Sequence, residues 1–192
     1  MSTIGIVVLV VAVIVVILIA AIWGTYNSLV KLDERVNEAW SDITVQLKRR
    51  SDLIPNLVDT VKGYTKHETE AIKAVSDARA KMMGARSVAD AAEADGSFTG
   101  ALSRLMAVTE SYPELKADKN FQQLSEELTD TENKILAARR FYNAGTKELN
   151  TKIKLFPTNI INNMVGHFKP RDYFELSDEE KAKVANPPEV KF

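Results

Sequence analysis

The sequence predicts an all-α protein, with an N-terminal transmembrane helix followed by an antiparallel long-helix bundle of three to four helices. The prediction rests on an uncharged apolar run, a helical period beyond it, and the lack of any sustained strand period. The run is residues 4–22, IGIVVLVVAVIVVILIAAI. After it, apolar residues recur at spacings of three and four through most of the chain. No alternation of period two lasts long enough to make a useful strand.

The apolar run comes first. At a rise of 1.5 Å per residue it covers about 28 Å, close to the thickness of a bilayer's hydrocarbon. Its many Val and Ile residues favour strands in water, but lipid leaves the backbone no partner outside a helix. Trp23 and Tyr26 follow, where aromatic rings anchor at the headgroups. A cleaved signal peptide fits poorly, because no Lys or Arg precedes the run, the run exceeds a signal's apolar region, and Ala20-Ala21 is not a cleavage motif. The expectation is a retained single-pass anchor over 4–24, with the lipid bilayer as partner through 4–22. Lys31 and Arg35 flank the exit, which puts the N-terminus outside and the bundle in the cytoplasm.

The bundle is expected over 25–170. Leu29, Leu32, Val36, Ala39, Ile43 and Leu47 mark one apolar face, and Leu57, Val58, Val61, Tyr64, Ala71, Ile72 and Val75 resume it. Gly84 and SVADAAEADGS, residues 87–97, read as a loop. A third helix is expected over about 98–111, ended by Tyr112-Pro113, and Asp118 is placed to cap the next. That fourth helix holds Phe121, Leu124, Leu128, Ile135, Ala138, Tyr142, Leu149 and Ile153 in a heptad-like register until Phe156-Pro157. Residues 157–165 suggest a short helix. The tail, 171–192, is expected to be irregular, with one short helix after a Ser177/Glu180 capping box.

Composition narrows the function. With 25 basic and 26 acidic residues and a net charge of -1, no long-range field draws the chain to nucleic acid or anionic lipid, and no nucleic acid is assigned as partner. The chain has no cysteine, which excludes disulfides, thiolate metal sites and a Cys nucleophile. It has no nucleotide loop, dinucleotide fingerprint, nucleophile elbow or zinc helix, and Glu-x-x-His is missing too. The histidines, His67 and His167, lie in polar or loop surroundings, and Glu126, Glu127, Asp130 and Glu132 read as a solvated face. No catalytic residue, cofactor or metal is assigned.

One stretch stands out: VQLKRRSDLIPNLVDTV, residues 45–61. Lys48, Arg49 and Arg50 fan across the outer half of a helix, with Asp52 able to pair back to Lys48. Pro55 costs about 3 kcal/mol inside a helix and frees the carbonyl of Ser51. A kinked continuous rod keeps the apolar stripe in phase, whereas a break at Pro55 packs the helices better, and the break is the expectation.

YNSLVKLDERVNEAWSDITVQLKRRSDLIPNLVDTVKGYTKHE resembles the LemA family of bacterial membrane proteins, and RRFYNAGTKELNTKIKLFPTNIINNMVGHFKPRDYFEL is similar to that family's C-terminal half. With the anchor, the resemblance covers nearly the whole chain. It implies a single-pass protein with an antiparallel helical bundle and no established catalytic activity. It places Lys48, Arg49, Arg50, Asp52, Pro55 and Asn56 in the family's signature. Tyr142-Asn143, which the family tends to repeat as a Tyr-Asn pair, recurs here only as Leu149-Asn150, and His167 looks inserted. Pro55 and Asn56 are expected at a helix start, with Tyr142, Asn143, Phe156 and Pro157 as further structural markers. For the cations the options are an ion-pair network to the fourth helix or a docking face, and Lys48, Arg49, Arg50 and Asp52 are the candidate interaction face. The expected function is a membrane-anchored interaction or scaffold module with unidentified protein partners. The alternative is an enzyme or metal-dependent device inside the bundle.

Overall fold

A computed structural model of the protein describes residues 2–65 and 67–175. The described residues are helical, without strands, in the order α1 (Thr3–Tyr64), α2 (Thr69–Gly84), α3 (Val88–Thr109), α4 (Pro113–Ala117), α5 (Lys119–Lys154) and α6 (Thr158–Ile161), then a π-helical turn over Asn162–Gly166. The chain forms two compact units. Among the described residues, one joins 2–39 with Asn143–Arg171, and the other joins Trp40–Tyr142 with 172–175.

In the first unit, α1 begins with the apolar run, which is exposed along its length and is long and apolar enough to cross a membrane. The helix continues past Trp23 without a break. Val36 faces Gly145, Arg35 pairs with Glu148 at 3.3 Å, and Lys152 donates to Ser28. Those numbers fall in α1 as they rise in α5, so the two helices run antiparallel. A Cβ on Gly145 would lie 3.3 Å from Val36 Cγ2, so glycine lets the helices approach closely there. Beyond α5 the chain folds back on itself. The Asn162 side chain donates to the Phe168 carbonyl and accepts from its N–H. The Asn150 side chain does the same for Arg171. His167 has φ 51. A Cβ on the preceding Gly166 would sit 2.6 Å from Asn162 Oδ1, so only glycine fits that turn.

In the second unit, α1 passes straight through Pro55, and Asn56 is interior as well, its carbonyl taking the Thr60 hydroxyl. The expected break at Pro55 is therefore corrected: the chain leaves the helix after Tyr64, where Gly63 weakens it. The reason lies in a partner that α2 supplies. Proline has no N–H for the Ser51 carbonyl, and Arg79 Nε donates to that oxygen at 2.9 Å. The lost bond is replaced from the side.

The expected loop over 87–97 is also corrected, because α3 starts at Val88. Ser87 accepts from the Asp90 N–H while the Asp90 carboxylate accepts from the N–H of Ser87 and Arg86. Hydrogen bonds from Ser87 and then Arg86 hold the Asp90 carboxyl below its usual range. The helix so started buries Ala91, Ala94 and Asp95 in its first turns. Asp118 caps α5 as expected, accepting from the Phe121 N–H at 2.9 Å and from the Tyr64 hydroxyl at 3.0 Å. The Phe121 N–H, then the Tyr64 hydroxyl, keep its carboxyl low, and the tyrosine is raised in turn. Tyr112 donates to Glu68 in a second bond between the helix connections. Along α5, Phe121, Leu128, Ile135, Tyr142 and Leu149 are all buried, as the heptad register predicts. The short helix expected near Ser177 lies outside the described residues.

Replacing Arg79 with Met should cost about 1–3 kcal/mol, because the Ser51 carbonyl would stay buried without its donor. In a Pro55→Ala background a backbone N–H returns, and the same substitution should cost less. Urea unfolding of the four proteins in this double-mutant cycle measures the difference. Equal costs in both backgrounds would show that Arg79 does not serve that carbonyl.

Candidate functional site

The signature stretch on α1 splits into outward and inward groups. Lys48, Arg49 and Asp52 are exposed, and Lys48 pairs with Asp52 at 3.3 Å, four residues on. Arg50 does not join them. It is 1 % exposed, which corrects its place in the outer fan. Three residues after Leu47 and four before Ile54, it shares their inward side of the helix.

Around Arg50 the unit builds a buried charge cluster from three helices. Arg50 Nη1 lies 2.8 Å from Asp95 on α3 and 2.8 Å from Glu132 on α5, and Nη2 donates to Thr99 at 3.2 Å. The contact to Glu132 is an ion pair whose angles fall outside hydrogen-bond alignment. The Asp95 carboxylate also faces Arg139, at 3.5 Å. Each guanidinium lies on an aromatic ring, Arg50 on Phe98 at 4.5 Å and Arg139 on Phe174 at 4.7 Å. Arg50 and Arg139 each face a carboxylate, which offsets the cost of burying their charge. The ion-pair option to α5 is the one that Arg50 takes. Glu132 accordingly leaves the solvated face expected for it, whereas Asp130 stays exposed and pairs with Lys134.

On the outward side, Lys48 and Asp52 rim a cleft of roughly 300 Å³. Trp40, Leu47, Met82, Met83 and Ala91 line it, with Thr44 and Ser51 adding hydroxyls. The Ser51 hydroxyl is buried without a hydrogen-bond partner. Methionines adapt to irregular apolar shapes, so such a lining suits a protein segment with apolar side chains. A second, more open cleft of roughly 590 Å³ reaches the other side of the cluster past Thr99, Leu102, Met106 and Glu132. Among the described residues no three His, Asp or Glu side chains converge as metal ligands. His67 is exposed, as is His167.

Of the other sequence markers, Tyr142 is buried, its ring 5.8 Å from Trp40 and its hydroxyl donating to the Asp172 carbonyl. Asn143, the next residue, belongs to the first unit, and so does the pair Leu149-Asn150, a core leucine and the Arg171 clamp. Phe156 is exposed and its peptide bond to Pro157 is cis, just past the end of α5. Asp95, Arg79 and Arg139 belong to no motif that the sequence alone marks as a site. The S-x-x-D pattern of Ser87 and Asp90 would have started α3 early enough to turn Asp95 inward.

The LemA family profile matches residues 39–192. Magnetosome protein MamQ 2 of Paramagnetospirillum magneticum is 28% identical over 195 residues, covering 88% of this chain and 71% of that protein. Magnetosome protein MamQ of Magnetospirillum gryphiswaldense is 28% identical over 188 residues, covering 84% and 69%. Protein LemA of Metamycoplasma hominis is 28% identical over 165 residues, covering 84% and 74%.

Adjacent cations should behave in opposite ways. Arg50→Met leaves Glu132 and one side of Asp95 uncompensated and should cost about 3–5 kcal/mol. Arg49→Ala, at the surface, should cost less than about 1 kcal/mol. Thermal melts of the two variants check this, and an Arg50 variant as stable as the parent would remove the cluster's structural role.

Proposed function

The chain belongs to the LemA family, and on that premise we propose that it is a non-catalytic, membrane-anchored module that docks a segment of another protein. The apolar cleft rimmed by Lys48 and Asp52 carries the proposal. Its lining supplies contact area, and the two rim charges select orientation. The inward acids support the non-catalytic reading, since Asp95 and Glu132 are engaged by guanidinium groups. The apolar start of α1 supports the anchor. Lys31 and Arg35, just past the run, favour a single-pass arrangement in the cell membrane with the N-terminus outside and the helical units in the cytoplasm.

Photo-crosslinking in intact membranes tests the docking role. A photoreactive residue at Met83, which is exposed at the cleft, should give a defined protein adduct. Lys48→Glu should suppress the adduct while leaving the melting temperature unchanged. An adduct that survives Lys48→Glu, or that also forms from exposed Glu126, would reject the cleft as the docking site.

A further inference from the structure

The first unit ends in an apolar surface that its own core leaves uncovered. Leu155, Phe156, Ile160, Met164 and Val165 are all exposed, Phe156 at 78% and Met164 at 65%. Ile160 and Met164 are four residues apart on adjoining helical turns and share one side, while Phe156 lies in the non-helical bend between α5 and α6. The clamp of Asn162 on Phe168, with the tight turn at Gly166, fixes that side in place.

Its position is set by α1. Lys152 donates to Ser28, and the ring of Phe168 lies 6.0 Å from that of Tyr26. Because α5 runs antiparallel to α1, residues beyond Lys152 continue toward the residues before Ser28. Those are Tyr26, Trp23 and the end of the apolar run. The exposed surface therefore sits at the level where the run ends.

Its charge is one-sided. Residues 149–171 include Lys152, Lys154, Lys169 and Arg171 but no Asp or Glu, and with Arg171 paired to Asp33 on α1 the three lysines carry the excess charge. Apolar side chains bordered by cations only are the composition of a segment lying in an anionic headgroup layer.

We propose that residues 155–166 form a second membrane contact, a short wedge seated in the headgroup region of an anionic bilayer beside the exit of α1. The inference rests on the anchor proposed above. An apolar span alone leaves a helix free to tilt and rotate. A wedge fixed to the same unit adds a second point of contact and so sets the azimuth of that unit on the lipid surface.

The chain lacks cysteine, so one fluorescent NBD group can be attached at a chosen site of the full-length protein. The variants are Ile160→Cys and Met164→Cys in the wedge, Ile14→Cys in the span and Lys147→Cys on exposed α5. Each is reconstituted in vesicles of phosphatidylcholine and phosphatidylglycerol carrying doxyl-labelled lipid. Quenching at 160 and 164 should be several-fold stronger than at 147, and should weaken in phosphatidylcholine alone. If the probe at 14 is quenched while 160 and 164 match 147, the wedge is rejected and the anchor stands. An unquenched probe at 14 rejects both. Probes at 160 and 164 shielded from doxyl lipid and from aqueous iodide alike would show protein covering the surface, which also overturns the wedge. Quenching that is equal in both lipids would overturn the preference for anionic headgroups.

Discussion

Asp95 is a buried carboxylate held between Arg50 and Arg139, and the packing of its unit turns on that arrangement. Three helices meet there, each contributing a group whose charge is tolerable only because of the other two. An apolar core accepts many side chains of suitable size. A buried ion cluster accepts very few, because moving one helix along its axis leaves a charge without its partner. The aromatic rings of Phe98 and Phe174 complete the enclosure with faces that favour cations. The capping box at Ser87 belongs to the same design, since it fixes where α3 begins and hence which way Asp95 points.

A second substitution of one interaction for another lies next to it. Arg79 replaces the bond that Pro55 removes from α1, and Ser51, whose carbonyl receives it, also lines the cleft rimmed by Lys48 and Asp52. Proline, inward arginine and outward lysine are thus parts of one short stretch with separate tasks. Two hold the unit together, and the third faces solvent at a cleft.

Much of the fold was legible in the sequence where apolar residues carry the pattern. The stripe from Leu29 to Leu47 and the α5 residues Phe121, Leu128, Ile135, Tyr142 and Leu149 are buried as their spacing requires, whereas Leu124 and Ala138 of the same register are only half-buried. Legibility failed where polar or small residues occupy the core. The buried side of early α3 is made of Ala91, Ala94, Asp95 and Gly96, which resembles a loop when only hydrophobicity is followed. The charge of Arg50 points it outward, whereas its position between Leu47 and Ile54 places it on the inward side. The break at Pro55 was expected because the sequence does not show that Arg79, far along the chain, returns to the freed carbonyl.

The register of α5 also governs how this chain tolerates changes in length. Phe121, Leu128, Ile135, Tyr142 and Leu149 follow one another at intervals of seven. One added residue inside the helix would rotate every later member by about 100°, placing Leu149 in water and its charged neighbours in the core. Seven added residues would return them to within about 20° of the original side. Insertions within α5 are therefore quantised, and homologues of other lengths have freedom to vary at the ends and connections of their helices instead.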